Sequence, residues 1–221
     1  MIQRLLDVIA PESCLECGTE GSIWCEWCRL QHDPLPSRCF LCHSQTDSYK
    51  VCKNCKRKTN LTSVYVFGEY KENYKELVTA LKFDCKRHAG AAIAWSMHGT
   101  LPYMPHKPTL IAVPSSPLRV RQRGFDHSVT LVKEVAKLSG LPHRNVLART
   151  NDLRQVGASK KQRQEQIQGA FRLKRSRKEI PEHVILVDDV ITTGATLSEA
   201  AKILKDAGVK QVDALTFVYS K

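Results

Sequence analysis

The stretch VILVDDVITTGAT, residues 184–196, joins an apolar run, two carboxylates and a turn of small and hydroxyl-bearing residues. The apolar run is typical of a buried strand, and it ends in Asp188 and Asp189. A helical pattern begins after the turn. Backbone N–H groups in such a turn, together with the start of a helix, can bind a phosphate group. The two carboxylates would then accept hydrogen bonds from ribose hydroxyls or hold a divalent metal.

This stretch resembles the motif with which type I phosphoribosyltransferases bind phosphoribosyl pyrophosphate (PRPP). Every position from Val184 to Thr196 fits the motif. The resemblance implies PRPP and Mg²⁺ as ligands, with Asp188 and Asp189 as catalytic and PRPP-binding residues. It also implies PRPP contacts from the turn residues, which are Thr192, Thr193, Gly194, Ala195 and Thr196. The alternative interpretation is an ordinary parallel crossover, in which a strand, an acidic loop and a helix follow one another without a ligand.

A second segment, at 114–124, is interpreted as a loop that binds the pyrophosphate arm of the same ligand. It follows an expected strand at 110–113. Its candidate ligand contacts are Ser115, Arg119, Arg121 and Arg123. Arginine side chains bind pairs of phosphate oxygens, which suits a pyrophosphate group. A solvated cluster of arginines is the alternative.

Eight of the nine cysteines form four CxxC pairs near the N-terminus. Two such knuckles complete a tetrahedral site, so the spacing predicts two structural zinc ions, each held by four thiolates. We favour a sequential grouping over an interleaved one: Cys14, Cys17, Cys25 and Cys28 in one site, and Cys39, Cys42, Cys52 and Cys55 in the other. A disulfide framework is a less favoured alternative, since nothing marks secretion. The aromatic residues near the knuckles are either core or a stacking surface for single-stranded nucleic acid: Trp24, Trp27, Phe40 and Tyr49.

Beyond residue 60 the pattern alternates between strands and helices. Strands are predicted at 63–67, 110–113, 183–188 and 212–219, and helices at 70–83, 89–98, 126–138 and 195–207. This alternation predicts an α/β fold with a parallel sheet and helices on both faces. The resemblance to type I phosphoribosyltransferases implies a Rossmann-like sheet of that kind. The predicted domains are a double zinc-ribbon module with a short N-terminal helix at 1–60 and a phosphoribosyltransferase-like domain at 61–221.

The chain has 221 residues and a formal net charge of +12, which favours phosphorylated ligands or nucleic acid as partners. Residues 144–178 hold eleven Lys or Arg and two acidic residues. Candidate nucleic-acid contacts in this segment are Arg149, Lys160, Lys161, Arg163, Arg172, Lys174, Arg175, Arg177 and Lys178. A solvated polar loop at 150–170 is the alternative. Because no apolar run is long enough to span a membrane and the first residues have helical spacing, we expect a cytoplasmic protein.

Several segments together carry a more specific likeness. They are the CxxC ribbons, YKELVTALKF (74–83), VPSSPLRVRQRGFDHS (113–128), LARTNDLRQVG (147–157), QRQEQIQGAFRL (162–173) and VILVDDVITTGAT. Over nearly its whole length the chain resembles the ComF (ComFC) family of competence-associated, phosphoribosyltransferase-like proteins. Three positions depart from the family pattern: Asp126-His127 stands where Asn-Gln commonly follows RGF, and Gln166 stands where Asn is common.

The resemblance implies a role in DNA uptake by natural transformation, with handling of imported single-stranded DNA. Catalytic turnover stays open, because a fold and a cofactor site do not define a reaction. One hypothesis is a PRPP-dependent transferase of unknown acceptor, with the polar loop around 155–163 closing over the site. A second is a DNA-handling factor whose PRPP site is regulatory or vestigial. A third is a zinc-stabilised adaptor that docks a competence helicase.

Overall fold

The computed structural model describes residues 11–83, 87–150, 167–174 and 181–220. The predicted N-terminal helix and the predicted closing loop around 155–163 lie outside these ranges. Six of the predicted nucleic-acid contacts also lie outside them: Lys160, Lys161, Arg163, Arg175, Arg177 and Lys178. Within the described ranges, no helix is both long and apolar enough to cross a membrane.

Within the residues that the structure describes, seven strands form two sheets. The strands are β1 (Val64–Glu69), β2 (Thr109–Ala112), β3 (His143–Arg144), β4 (Leu147–Arg149), β5 (Phe171–Leu173), β6 (His183–Ile191) and β7 (Gln211–Tyr219). Five of them make a parallel sheet in the order β1-β7-β6-β2-β3, while β4 and β5 pair separately and antiparallel. The acidic strand β6 therefore lies at the centre of the parallel sheet.

Helices cover both faces of this sheet. They are α1 (Glu26–Leu30), α2 (Glu72–Lys82), α3 (Arg87–Thr100), α4 (Pro117–Arg123), α5 (His127–Ser139) and α6 (Ala195–Asp206). Alternate residues of β6 point to opposite faces, so Ile185 packs with α2, α3 and α5 while Leu186 packs with α6. The predicted inward faces of two helices are buried: Tyr74, Leu77, Val78 and Leu81 on α2, and Leu197, Ala200, Ala201 and Leu204 on α6. The predicted α/β fold is confirmed.

Two local predictions were wrong. The acidic pair does not follow the central strand but lies within it, because β6 continues to Ile191 and pairs with β7 as far as Tyr219. The arginine segment is not a loop but contains the short helix α4. Ser116 caps this helix by accepting a hydrogen bond from the backbone N–H of Arg119 at 3.4 Å, and Gly124 ends it in the left-handed conformation.

The two cysteine-rich segments, ribbon 1 (residues 14–28) and ribbon 2 (residues 39–55), pack on opposite faces of the sheet beside its edge strand β1. Trp24 of ribbon 1 is 1% exposed and lies among Phe67, Tyr74 and Phe217. Phe40 of ribbon 2 is buried in the other core, with α6. These two aromatic residues therefore complete the cores of the sheet. The domain boundary at residue 60, between the zinc-ribbon module and the phosphoribosyltransferase-like domain, stays a prediction.

Candidate functional site

The acidic pair and the predicted phosphate turn meet at the carboxyl end of the central strand β6. Gly194 adopts a left-handed conformation (φ 74°), which glycine tolerates without steric cost, and it is the N-cap of α6. Its carbonyl accepts a hydrogen bond from the backbone N–H of Ser198 at 2.8 Å. Thr192 is exposed and Thr193 and Thr196 are half-buried, so the hydroxyls of the turn are accessible. The sequence VDDVITTGAT thus folds as a strand that leads directly to a helix N-terminus.

Asp189 is buried and held by two basic side chains. Lys82, at the end of α2, forms an ion pair with Oδ2 of Asp189. His127, at the start of α5, lies with Nε2 3.2 Å from Oδ1. Burial by itself would raise the pKa of Asp189, but the charge of Lys82 and the hydrogen bond from His127 outweigh it and hold this pKa below its ordinary range.

His127 connects Asp189 to the arginine helix. Its Nδ1 lies 3.1 Å from Nη1 of Arg123 and 3.1 Å from Oγ of Ser115. A guanidinium group can only donate, so Nδ1 accepts and the proton of the neutral ring lies on Nε2, directed at Asp189. Asp126 holds the same segment, because its carboxylate accepts hydrogen bonds from Ser115 and caps α5 through the N–H of Ser128.

Asp188 differs from its neighbour in both contacts and charge. It accepts hydrogen bonds from the Ser128 hydroxyl at 3.3 Å and from the backbone N–H of Asp189 at 2.9 Å, both to Oδ1. Burial and the adjacent negative charge of Asp189 raise the pKa of Asp188 to about 7. Asp188 is therefore the member of the pair that can change its charge near neutral pH.

A divalent metal would find its ligands among three side chains. One ligand atom each from His127, Asp188 and Asp189 lie within 4.8 Å of one another. Both oxygens of Asp189 already have partners in Lys82 and His127, whereas the hydrogen bonds of Asp188 use Oδ1 alone. Asp188 is thus the carboxylate best placed to hold Mg²⁺ or ribose hydroxyls.

The cysteines gather in the sequential sets, Cys14, Cys17, Cys25 and Cys28 in ribbon 1 and Cys39, Cys42, Cys52 and Cys55 in ribbon 2. The sulfur atoms of Cys17 and Cys25 are 3.6 Å apart and those of Cys42 and Cys52 are 3.5 Å apart. Such separations are far too long for disulfides and suit a tetrahedron of thiolates around zinc. Hydrogen bonds with Thr19 lower the pKa of the Cys17 thiol to about 6, and hydrogen bonds with Ser44 lower the pKa of the Cys42 thiol to about 6. Both clusters could hold a zinc ion.

Known proteins resemble this chain in its phosphoribosyl transferase domain and, for three competence proteins, over most of its length. A model of the phosphoribosyl transferase domain matches residues 127–221. Competence protein F of Haemophilus influenzae is 29% identical over 201 residues, 85% of this chain and 86% of that protein. Competence protein ComFC of Streptococcus pneumoniae is 26% identical over 98% of this chain and 96% of that protein, and the Bacillus subtilis ComFC is 28% identical over 89% and 84%. These matches over most of the chain support its assignment to the ComF/ComFC family.

Solved structures similar to this chain include two enzymes. An allosteric regulatory enzyme of purine biosynthesis has a TM-score of 0.39 and 19% identity, over 57% of this chain and 25% of that chain. Hypoxanthine-guanine phosphoribosyl transferase of L. donovani has a TM-score of 0.35 and 11% identity, over 59% and 67%.

The structure connects only some of the pyrophosphate contacts predicted in 114–124 to the acidic pair. Ser115 and Arg123 reach the acidic pair through His127, and the Arg123 guanidinium also lies 5.0 Å from the centre of the Phe83 ring. Arg119 is half-buried and Arg121 is exposed on the same helix. These two arginines stay predicted contacts for pyrophosphate.

Three of the predicted nucleic-acid contacts lie within the described residues: Arg149, Arg172 and Lys174. Arg172 and Lys174 lie at exposed positions on and just after β5, and Arg149 on β4 lies over the Phe171 ring at 5.4 Å. The antiparallel strands β4 and β5, called the β4–β5 hairpin below, therefore carry part of the positive charge of this segment outside the parallel sheet.

The sequence analysis does not identify three residues of this site. Lys82 ends an amphipathic helix, and nothing in its local sequence distinguishes it from a surface lysine. Ser128 stands at the start of a predicted helix, where serine is typical of a cap. His127 had a signal, since it is one of the three positions at which the chain departs from the family pattern.

Proposed function

We propose that this ComFC-family chain binds PRPP with Mg²⁺ at the carboxyl end of β6 and acts as a phosphoribosyltransferase-like protein in competence. The observation that carries the proposal is the direct succession of Asp188, Asp189 and the left-handed Gly194 before α6. A phosphate bound at the turn would accept N–H bonds at a helix N-terminus, and ribose hydroxyls would donate to the carboxylates.

The roles of the individual residues follow from their contacts. Thr192–Thr196 would hold the 5-phosphate, and Asp188 would hold the ribose hydroxyls or Mg²⁺. Arg123, held by His127, would bind the pyrophosphate arm together with Arg119 and Arg121 of the same helix. Bound Mg²⁺ would neutralise charge on the leaving pyrophosphate. Asp189 would keep Lys82 and His127 in place.

Calorimetry with PRPP and Mg²⁺ tests this proposal. The wild type should bind, and Thr192→Ala/Thr193→Ala should bind much more weakly because the turn loses two hydroxyl groups next to the phosphate. Absence of binding to the wild type would overturn the ligand assignment. Release of pyrophosphate from PRPP that disappears in Asp188→Asn would in addition establish turnover.

The competence role is supported by the relatives, which carry the names Competence protein F and Competence protein ComFC. Within that role we propose that the chain handles single-stranded DNA through its basic β4–β5 hairpin. Arg172 and Lys174 are exposed there and could contact a DNA backbone. Such binding should weaken steeply as salt rises, because each phosphate contact releases counterions.

Matched charge reversals test the DNA proposal. Arg172→Glu/Lys174→Glu should lower single-strand affinity and flatten its salt dependence, measured by fluorescence anisotropy. Lys202→Glu/Lys205→Glu changes the charge by the same amount at exposed positions on α6 and should have a smaller effect. Equal losses in both variants would mean that only the net charge matters and would contradict a hairpin site.

A competence helicase stays a predicted partner, and the packing of ribbon 1 determines how it can be tested. Deleting the N-terminal module would remove Trp24 from the core and damage the sheet domain. Trp27 and Leu30 are 72% and 59% exposed, so Trp27→Ala and Leu30→Ala test docking without touching that core. Undiminished capture of the helicase by both variants would argue against docking through this surface.

A further inference from the structure

Ribbon 2 contacts the proposed phosphate turn directly, through the ring of Phe40. This residue lies inside the knuckle between Cys39 and Cys42 and is 5% exposed. A Cβ placed on Gly194 would lie 3.0 Å from Cζ of the ring and even closer to Cε2. The absence of a side chain at Gly194 therefore leaves the space that the Phe40 ring occupies.

Gly194 is also the residue on which the shape of the turn depends. Its φ of 74° is a conformation that residues with side chains rarely adopt, and no side chain caps α6 at this position. The local support for this helix start is a 3.3 Å hydrogen bond from the backbone N–H of Ala195 to Oγ1 of Thr193, without the usual side chain at the N-cap itself. Packing against Phe40 supplies a constraint from outside the turn.

Two further contacts join ribbon 2 and the segment that follows it to the end of β7 and to the start of α6. The rings of His43 and Tyr219 have centroids 5.0 Å apart, at the carboxyl end of β7. Asn60 follows ribbon 2, and its backbone N–H donates to Oγ of Ser198 in the first turn of α6 at 3.1 Å. Ribbon 1, by contrast, packs into the core on the other face of the sheet.

We propose that Phe40 is a positioning residue for the phosphate site, and that ribbon 2 rather than ribbon 1 preorganises the Thr192–Thr196 turn. This inference rests on the proposed function, since it takes the 5-phosphate of PRPP as the ligand of the turn. A preorganised turn loses little conformational freedom when the ligand binds. Without the ring, the turn spends part of its time in other conformations, and apparent affinity falls in proportion to the competent fraction.

Calorimetric titration with PRPP and Mg²⁺ compares four variants with the wild type. Phe40→Ala should raise Kd by about tenfold, the result of a competent fraction near one-tenth. Phe40→Met should recover most of the affinity, because an unbranched thioether chain can refill the space. Phe40→Tyr keeps the ring but adds an oxygen at Cζ, next to Gly194, and should weaken binding. Trp27→Ala, the control, removes the exposed aromatic residue of a ribbon 1 knuckle and should leave Kd unchanged.

Zinc content and the circular dichroism spectrum of each variant show whether ribbon 2 and the fold are intact. The outcomes separate the two proposals. A wild type that does not bind PRPP overturns the proposed function, and this inference with it. A wild type that binds while Phe40→Ala and Phe40→Tyr keep the same Kd overturns this inference alone. The same holds if Trp27→Ala weakens binding as much as Phe40→Ala does.

A double-mutant cycle supplies a readout that does not depend on the ligand. Gly194→Ala should destabilise the protein both by its positive φ and by collision with the ring. In the Phe40→Ala background the collision is gone, so the loss caused by Gly194→Ala should be smaller. Additive losses in urea unfolding would show that ring and turn are not coupled and would overturn the inference.

Discussion

Asp188 and Asp189 are neighbours in β6 but lie in opposite electrostatic environments. Asp189 pairs with Lys82 and accepts a hydrogen bond from His127, and its pKa lies below the ordinary range. Asp188 is half-buried beside the negative charge of Asp189, and its pKa is raised to about 7. Asp189 therefore holds Lys82 and His127 in place, while Asp188 carries a negative charge that a bound ligand can neutralise.

The first prediction concerns stability and pH at Asp188. A carboxyl whose pKa is raised on folding binds more protons in the folded than in the unfolded state, so it lowers stability as pH rises from about 4 to about 7. Asp188→Asn removes this charge. Without PRPP or Mg²⁺, the variant should melt above the wild type at pH 8, with about 2–4 °C gained for each kcal/mol of relieved strain.

Thermal melts at pH 5 and pH 8 check this sign. The gain should shrink at pH 5, where Asp188 of the wild type is largely protonated. An equal gain at both pH values, or a loss at pH 8, would contradict the electrostatic difference between the two aspartates. PRPP binding should be weaker in the same variant, because the ligand-facing charge is gone.

A second prediction concerns the partner of Asp189. Lys82→Met leaves a buried carboxylate with His127 as its remaining basic partner. We expect a loss of at least about 2 kcal/mol in the free energy of unfolding, somewhat below the roughly 3–5 kcal/mol seen for fully buried pairs, since Lys82 is partly exposed. Lys75→Met is the control on the same helix, because its ion pair with Glu72 is on the surface. Urea unfolding should show almost no effect of the control. Similar losses in both variants would contradict a structural role for the Lys82–Asp189 pair.

The two tryptophans of ribbon 1 give a third prediction. Trp24→Ala should cost about 3–5 kcal/mol, because it leaves a cavity among the aromatic residues of the sheet core. Trp27→Ala should change stability by less than about 0.5 kcal/mol, as exposed substitutions usually do. Chemical unfolding followed by circular dichroism measures both. A small cost for Trp24→Ala would mean that the ribbon and the sheet do not share a core.

A fourth prediction concerns zinc. The purified chain should contain two zinc ions, and chelation should lower the melting temperature of the whole molecule in one transition. The reason is that Trp24 and Phe40 connect the ribbons to the cores on both faces of the sheet. Calorimetry with and without a chelator measures this. Two separate transitions, with the sheet melting at an unchanged temperature, would show that the ribbons are independent units.

Local patterns were sufficient for much of the fold. The apolar run of β6, the inward face of α6 and the four CxxC pairs each depend on residues close together in sequence, so each can be predicted from the sequence. The end of β6 could not be predicted in this way, because two adjacent aspartates are typical of a loop. The pairing with the long strand β7 extends β6 beyond them. The helix α4 was missed for a similar reason, since its three arginines were interpreted through their charge rather than through Ser116 and Pro117.

By itself, the sequence determined the order of strands and helices, the four CxxC pairs and the position of the proposed phosphate turn after an acidic pair. These follow from side-chain periodicity and ligand spacing, which act over a few residues. Only the tertiary structure decided which aspartate is neutralised and what constrains Gly194. Those outcomes depend on Lys82, His127 and Phe40, which are distant in sequence and reach the end of β6 only when the helices and ribbons pack on the sheet.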